Sequence, residues 1–229
     1  MLLPRWLIKL GFHLLYYQLA WTYDLVAWTV SFGQWAEWRR LALEFLQPGP
    51  VLELAYGTGG FLVDLLEAGY KPVGLDLSPY MARLAASRLR QRGFALQLSQ
   101  ARAQAIPFPS DYFANVVATF PTNYMLQQET LTEVYRVLRD ASYEKNTPAG
   151  RLVIVMEGQL RGNWPLRPII DWLYKITGQR SDSQSGPVVV MSTHHLAARW
   201  QTVERRGALA HLLIAEKCNQ METGHNQAE

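Results

Sequence analysis

A run of small residues after an apolar segment could bring a ligand close to the backbone. The segment 51–54 is short and mostly apolar, as expected of a buried strand. The turn that follows it reads Ala55, Tyr56, Gly57, Thr58 and Gly59. Small residues at positions 55, 57 and 59 allow a sharp turn and a close approach of the ligand. Open α/β sheets bind ligands at this point, beyond the carboxyl end of a strand, although such a turn is weakly specific by itself.

A carboxylate after the next apolar run makes the pattern more specific. Asp76 follows the segment 72–75. It lies 17 residues after Gly59, which matches the spacing of roughly 20 residues at which nucleotide-binding folds place a ribose-binding acid. Its carboxylate can accept hydrogen bonds from both ribose hydroxyls of an adenosine. The alternative is an exposed loop aspartate or a helix cap, and the spacing favours the ribose role.

A third polar segment lies between the predicted third and fourth strands. Residues 103–109 are followed by Asp111, Tyr112 and Phe113. Backbone groups of this loop could reach the edge of an adenine ring. Pro107 and Pro109 stiffen the loop because each fixes its own backbone angle φ.

The elements that must position these residues alternate between buried strands and helices. Strands are predicted at 51–54, 72–75, 94–98, 115–120 and 151–156. Helices are predicted at 59–68, 78–92, 126–139, 165–176 and 192–200. Residues 202–217 read as two strands joined by a tight turn near Gly207. This alternation predicts an α/β fold, namely a Rossmann-like, mostly parallel sheet with helices on both faces and an antiparallel hairpin at one edge.

The first 47 residues are predicted to form a helical cap before the main domain. Five of the eight tryptophans lie in residues 1–38, and an apolar stripe recurs at helical spacing. The longest uncharged run, residues 10–23, is shorter than the roughly 20 residues that span a bilayer. The first helix therefore either packs on the domain or lies in a membrane interface, and both roles are compatible. Residues 48–217 are predicted to form the main domain, and 218–229 a disordered tail.

Composition excludes several other classes of protein. The formal net charge is +3 without a dense Lys/Arg run, which argues against a nucleic-acid partner. Cys218 is the single cysteine, so no intrachain disulfide forms, which fits a reducing cytoplasm. His194 and His195 are adjacent and point to different faces of any regular element, and no zinc-ligand spacing occurs, so we expect no metal site.

Taken together, these motifs resemble a known family. Residues 53–59 resemble the cofactor motif V-L-E-L-G-x-G-T-G of the S-adenosyl-L-methionine (SAM)-dependent methyltransferases, and residues 74–81 resemble their ribose motif. Residues 106–108 and 116–120 complete the pattern. The chain is similar to the type-11 branch of class I, which includes the ubiquinone/menaquinone C-methyltransferases. This resemblance covers about residues 50–157 and implies a seven-stranded sheet whose last strand is inserted antiparallel.

The same resemblance implies a set of cofactor-binding residues. Those for the methionine end of SAM are Glu53 for the amino group, with Ala55, Tyr56, Gly57 and Gly59 in the backbone turn. Those for the adenosine end are Asp76 for the ribose, Leu77 against the adenine, and Ala103 and Gln104 at its edge. Thr119 and Phe120 are expected below the sulfonium. Tyr23 is expected over the cofactor, at the SAM carboxylate or the methyl group, although a role as a core aromatic fits equally well.

The chain departs from the family pattern at several positions. Ala55 replaces the first glycine of the motif, a change that still permits close approach. Arg102 stands where an aspartate usually accepts from the adenine amino group, and an arginine side chain has only donors. Recognition of adenine must then rest on backbone groups. Residues 140–149 form a longer connection before the fifth strand than the family's usual turn.

The implied activity is methyl transfer from SAM to a small acceptor. The aromatic N-terminal region suggests that this acceptor is lipophilic, such as a quinone or a lipid. The candidate proton acceptors, placed by expected position alone, are Tyr16, Tyr23, Tyr124, Glu157 and His194, and none is assigned as catalytic. One alternative is a non-catalytic SAM-binding module. Another is an NAD(P)-dependent oxidoreductase, but Leu62 occupies the place of its third glycine. A cytoplasmic protein with peripheral membrane contact is expected, and the oligomeric state is left open.

Overall fold

The computed structural model describes residues 34–142, 146–159, 185–205 and 208–218. Its centre is a seven-stranded sheet with the order β3-β2-β1-β4-β5-β7-β6. The strands are β1 Val51–Leu54, β2 Pro72–Asp76, β3 Leu98–Gln100, β4 Asn115–Thr119, β5 Arg151–Gln159, β6 Leu196–Arg205 and β7 Ala208–Lys217. Neighbours among β1 to β5 are parallel, whereas β7 is antiparallel to both β5 and β6. The predicted sheet and its edge hairpin are confirmed.

Five α-helices connect or cover these strands in the described ranges. They are α1 Trp35–Arg40, α2 Gly60–Glu67, α3 Pro79–Gln91, α4 Gln128–Val137 and α5 Ser185–Ser192. Two short 3-10 helices, Leu41–Phe45 and Asn123–Leu126, precede β1 and α4. The start of α3 follows the predicted signals, because Ser78 caps it by accepting from the amide of Met81 at 3.3 Å, with Pro79 in the first turn.

Helices cover both faces of the sheet, which buries its central strands completely. Val116 and Ala118 of β4 face the layer that contains α4 and α5. Val117 alternates to the opposite face, where Trp38 of α1 and Phe61 of α2 pack. This explains why the central strands read as nearly continuous apolar runs rather than as an alternation of apolar and polar residues.

Two predicted elements differ from the structure, one in its start and one in its type. The predicted strand 94–98 begins only at Leu98, because the amide of Phe94 donates to the Leu89 carbonyl and completes the end of α3. The predicted helix 192–200 is also wrong, since α5 ends at Ser192 and Leu196–Arg205 forms β6. Pairing along the whole of β7 overrides the helical propensity of the Leu- and Ala-containing start of β6.

The described part of the N-terminal region consists of α1 and the 3-10 helix after it, which pack on the sheet through Trp38, Leu41 and Ala42. Residues 1–33, the predicted helix 165–176 and nearly all of the predicted tail lie outside the described residues. The domain boundaries at 47 and 217 therefore stay predictions. Within the described ranges, no helix has both the length and the apolar character needed to cross a bilayer.

Candidate functional site

The turn after β1 is built from three residues with left-handed backbone conformation. The φ angles are +54° at Ala55, +54° at Gly57 and +75° at Gly59. The amide of Ala55 donates to the Leu75 carbonyl at 2.7 Å, and this bond ties the turn to β2. Glycine adopts such angles without strain, whereas an alanine side chain resists them. The chain thus turns sharply between β1 and α2, as the sequence predicts, but with one strained residue.

The glycines of this turn differ in what surrounds them. A Cβ atom added to Gly57 would meet no atom within 4 Å, so its α-carbon faces open space. A Cβ atom added to Gly59 would lie 2.8 Å from the Cβ of Ala85, so that glycine lets α2 and α3 approach closely. Gly57 therefore borders the space where a ligand can lie, and Gly59 serves the packing below it.

Asp76 ends β2 directly beside this turn. Its Oδ2 accepts from the Gly57 amide at 2.9 Å, and its Oδ1 accepts from the Ser78 amide at 2.8 Å. Burial raises the pKa of Asp76, and these backbone N–H groups act in the opposite direction. A carboxylate has about four acceptor positions, so Asp76 keeps acceptor capacity beyond its backbone bonds. The adjacent Leu77 is 50% exposed and adds an apolar surface next to this polar group.

Glu53 lies at the carboxyl half of β1, under the turn. It is 1% exposed, and its Oε2 has no hydrogen-bond partner among the described residues. Burial holds the pKa of Glu53 well above its ordinary value, and the nearby charge of Arg39 acts in the opposite direction. An unsatisfied buried carboxyl oxygen carries a substantial desolvation cost. A cationic donor from a ligand would satisfy it.

The loop after β3 is held in place by an ion pair on α4. Arg136 donates to the carbonyls of Ile106 and Phe108, both at 2.8 Å, and pairs with Glu133. The second carboxylate oxygen of Glu133 accepts from the Ile106 amide at 2.7 Å. These bonds hold one backbone amide and two backbone carbonyls of the loop. The loop thus forms a fixed wall beyond β3, in agreement with its predicted stiffness.

Two residues predicted for the adenine edge lie just before this anchored stretch. Ala103 is 8% exposed, and Gln104 donates through its side-chain amide to the Oε1 of Gln127 at 2.7 Å. The side chain of Gln104 is therefore engaged with a neighbouring loop. Arg102 contributes a turn carbonyl, which accepts from the Ala105 amide at 3.0 Å.

The carboxyl end of β4 is covered by aromatic residues of α1. Phe120 has a φ of +51°, and its amide donates to the Val155 carbonyl at 2.8 Å. Its ring centroid lies 4.0 Å from that of Trp35 and 6.3 Å from that of Trp38. The half-buried Thr119 precedes it. The described end of the N-terminal region thus closes over the edge of the sheet where the predicted site lies.

The structure brings most of the predicted site residues to one edge of the sheet. Those at or just beyond the carboxyl ends of β1 to β4 are Glu53, Ala55, Gly57, Gly59, Asp76, Leu77, Ala103, Gln104, Thr119 and Phe120. The side chain of Tyr56 instead turns into the core below, where its Cδ1 would lie 2.6 Å from a Cβ on Gly74. Burial raises the pKa of that tyrosine to about 12. Tyr23 lies outside the described residues.

The candidate proton acceptors within the described residues lie at two opposite edges of the sheet. Glu157 lies near the carboxyl end of β5 and pairs in register with His211 of β7. Tyr124 lies in the 3-10 helix after β4. His194 follows α5 and precedes the start of β6, which pairs with the end of β7 at the opposite, amino-terminal edge of the parallel strands. The interpretation of His194 as a proton acceptor for this site is therefore wrong, and Tyr16 lies outside the described residues.

The sequence did not single out Arg39 in α1, whose side chain lies beside the end of the glycine turn. Its guanidinium lies on the first residue of α2, where a Cβ on Gly60 would be 2.7 Å from Nη1. Its Nε donates to Oδ2 of the buried Asp64 at 2.5 Å. The sequence shows only a Trp-Arg-Arg run in a helical segment, which is indistinguishable from a solvated helix face. In the described part of the chain, no group of three or more potential metal ligands occurs.

Comparisons with known proteins agree with this arrangement. Residues 51–141 match the family described as a methyltransferase domain. The demethylmenaquinone methyltransferase of Thermus thermophilus is 36% identical over 139 residues, which cover 58% of this chain and 60% of that protein. The ubiquinone/menaquinone biosynthesis C-methyltransferase UbiE of Pectobacterium carotovorum is 30% identical over 149 residues, or 61% and 56% of the two chains. The aligned part thus spans less than two thirds of these curated relatives.

Solved structures share the fold at low sequence identity. A SAM-dependent methyltransferase from Methanosarcina mazei superposes with a TM-score of 0.54 and 18% identity, covering 78% of this chain and 97% of that one. The phosphoethanolamine N-methyltransferase 2 of Haemonchus contortus, in complex with SAM, gives a TM-score of 0.56 at 12% identity, covering 79% and 52%. The family match, the sheet order with its antiparallel β7, and the glycine turn beside Asp76 agree: residues 51–141 match a methyltransferase domain, and the described part of the chain has the fold of SAM-dependent methyltransferases.

Proposed function

We propose that this protein transfers a methyl group from SAM to a small, lipophilic acceptor. One observation carries the proposal. Within a methyltransferase domain, the turn at Gly57 opens onto free space while its amide is bonded to Asp76, whose carboxylate keeps further acceptor capacity. A nucleoside with a free ribose diol fits a carboxylate held in this way. The match of residues 51–141 to a methyltransferase domain supports the same cofactor.

The residues at this edge of the sheet have the groups needed to bind every part of SAM. Asp76 would accept from the ribose hydroxyls, and the exposed Leu77 would pack on the adenine. The fixed loop at Ala103 and Gln104 would meet the adenine edge through its backbone, since Arg102 cannot accept a hydrogen bond from the adenine amino group. The unsatisfied Oε2 of Glu53 would accept from the amino group of the methionine end.

When bound, SAM supplies an electrophilic methyl group on a sulfonium. The protein's own contribution is to hold donor and acceptor in line and to exclude water, which accounts for much of the rate of such a transfer. Thr119 and Phe120 would border the reacting end, and Phe120 is fixed there by Trp35. A carbon or hydroxyl acceptor also needs a proton acceptor. Glu157 lies near the carboxyl end of β5 and Tyr124 follows β4, and Tyr16 and Tyr23 complete the candidates.

A lipophilic acceptor is supported by the relatives and by the aromatic N-terminal region. The curated relatives are named for demethylmenaquinone and for ubiquinone/menaquinone biosynthesis. The ring pair of Trp35 and Phe120 at the end of β4 is a surface suited to a flat apolar molecule. The helical spacing of apolar residues before Tyr23 would allow peripheral contact with a membrane that contains such an acceptor.

Binding of S-adenosylhomocysteine and of its 2′-deoxyribose analogue tests the cofactor assignment. In the native protein we expect the deoxy analogue to bind about 10-fold or more weakly, because removal of one partner of a hydrogen bond to a charged group costs about 1.5–3 kcal/mol. In Asp76→Ala the two ligands should bind equally weakly. Equal binding of both ligands by the native protein would exclude Asp76 as the ribose acceptor. Thermal unfolding serves as the folding control, since Asp76 also holds the turn.

Turnover must be tested separately from binding. Transfer of a radiolabelled methyl group from SAM should be measured with a panel of demethylated quinones and with phospholipids. Labelling of a quinone supports the proposed acceptor class, and labelling of a lipid redirects it. Tight SAM binding without transfer to any acceptor would favour a non-catalytic cofactor-binding module.

The membrane role is tested by flotation with liposomes, using the whole chain and a variant that lacks residues 1–30. We expect the whole chain to float and the truncated variant to remain at the bottom of the gradient. Equal behaviour of the two proteins would remove the proposed membrane contact without affecting the assignment of the cofactor.

A further inference from the structure

We infer that Arg39 binds the carboxylate of the amino-acid end of SAM and forms, with Glu53, a zwitterion-binding pair. This inference rests on the proposed function, because it adds a residue to the same cofactor site. Contact with this carboxylate was one of the two roles expected of Tyr23, and it passes to Arg39. It also makes the described end of the N-terminal region part of the site and more than a cover for it.

The guanidinium of Arg39 is only partly used by the protein. Its Nε pairs with Asp64, and this is its one hydrogen bond within the described part of the chain. Its Nη1 and Nη2 atoms lie over Gly60, where an added Cβ would be 2.7 and 3.2 Å from them. The side chain is 20% exposed, so part of it remains accessible. An arginine held by Nε presents its two terminal nitrogens as a fork that matches a carboxylate.

A carboxylate in front of Arg39 would also lie at the amino end of α2. The first amides of a helix lack partners inside the helix, and the helix dipole favours negative charge at this end. Glycine at position 60 is required for this arrangement, because any side chain there would displace the guanidinium. The absence of a side chain at Gly60 therefore allows the contact with Arg39.

Glu53 provides a buried carboxyl group whose ionised form Arg39 favours. The charges of Arg39 and Glu53 interact through the protein, and the Oε2 of Glu53 is buried without a partner among the described residues. An α-amino acid group carries one ammonium and one carboxylate on the same carbon. A buried acceptor at the end of β1 and a partly exposed forked cation at the start of α2 are complementary to that group.

The neighbouring Arg40 gives a matched control. It also pairs with Asp64, through Nε at 2.9 Å, but its remaining contact is with the exposed Glu37 at 2.7 Å. Its side chain is 45% exposed, against 20% for Arg39. Replacement of either arginine removes one partner of Asp64. Only replacement of Arg39 should remove a ligand contact.

The experiment compares binding of S-adenosylhomocysteine with binding of 5′-methylthioadenosine, which lacks the amino-acid end. We expect Arg39→Met to weaken S-adenosylhomocysteine binding by about 10- to 100-fold and 5′-methylthioadenosine binding by less than about 2-fold, as for loss of a charge-assisted pair. Arg40→Met should change neither by more than about 3-fold. Arg39→Lys should recover part of the loss, because it keeps the charge without the fork.

The inference is overturned if Arg39→Met binds S-adenosylhomocysteine as tightly as the native protein. It is also overturned if this variant loses affinity for both ligands in equal measure, which would mark Arg39 as a support of the fold. Failure of the native protein to bind either ligand would instead contradict the proposed function itself. Unfolding midpoints of Arg39→Met and Arg40→Met show whether the two variants are equally folded.

Discussion

The indole ring of Trp38 lies directly on the α-carbon of Gly158. A Cβ atom added to Gly158 would be 2.0 Å from Cδ2 of that ring, which no side chain can occupy without displacing it. Trp38 is 1% exposed and belongs to α1, and Gly158 lies near the end of β5. This contact fixes α1 against the sheet edge that carries the site. It thereby fixes the position of the neighbouring Arg39.

The first prediction is that Gly158→Ala destabilises the protein by overpacking. We expect a loss of about 1–3 kcal/mol in the free energy of unfolding, measured by chemical denaturation. Gly69→Ala is the control, because its added Cβ would meet no atom within 4 Å and only its φ of +85° opposes the change. The control should lose about 1 kcal/mol. A Gly158→Ala variant as stable as the native protein would show that α1 does not rest on β5.

The second prediction is that Ala55→Gly stabilises the protein. Ala55 has a φ of +54°, which costs an L-residue about 1–2 kcal/mol, and glycine removes this strain. The greater freedom of glycine in the unfolded chain offsets about 0.4–1 kcal/mol of the gain. We expect a net increase of about 0.5–1 kcal/mol in the free energy of unfolding.

The same substitution within α3 is the control for Ala55→Gly. Ala86→Gly lies inside that helix and should destabilise by about 1 kcal/mol, because glycine is a poor helix former. Opposite signs for the two variants would confirm that backbone strain at position 55 is the cause. A loss of stability in Ala55→Gly would mean that the methyl group of Ala55 makes a contact worth more than the strain.

The third prediction concerns pH and Glu53. Burial holds the pKa of this carboxyl well above its ordinary value near 4.5, so the folded protein retains a proton that the unfolded chain has released. Stability from this group therefore falls as the pH rises from about 4.5 toward the folded-state pKa. Glu53→Gln cannot ionise, so its stability relative to the native protein should improve as the pH rises.

Binding should show the opposite trend at the same residue. An ammonium group placed at Glu53 favours the ionised carboxylate, so binding of S-adenosylhomocysteine should release up to one proton. Calorimetry in buffers of different ionisation enthalpy measures this number. The native protein should bind more tightly as Glu53 ionises, and Glu53→Gln should release fewer protons and bind about 10-fold more weakly at high pH. Identical proton release in both proteins would exclude Glu53 as the ammonium ligand.

Features that depend on short stretches of sequence could be predicted well. Ser78 and Pro79 mark the start of α3, and the apolar runs mark the central strands, because capping and burial act locally or with a fixed period. Asp76 could be placed beside the turn because parallel strands end at the same edge of the sheet. The start of β6 could not be predicted, because its strand conformation comes from pairing with β7 rather than from its own residues.

The sequence by itself therefore determined the class of fold, the glycine turn and the acid that follows β2, because each depends on residue types at short, regular spacing. Only the tertiary structure decided that Arg39 of α1 lies on Gly60 and that the side chain of Tyr56 turns into the core. It also separated His194 from the site by placing it at the opposite edge of the sheet. These relations join residues that are distant along the chain or depend on which way a side chain points, and the packing of helices on the sheet sets both.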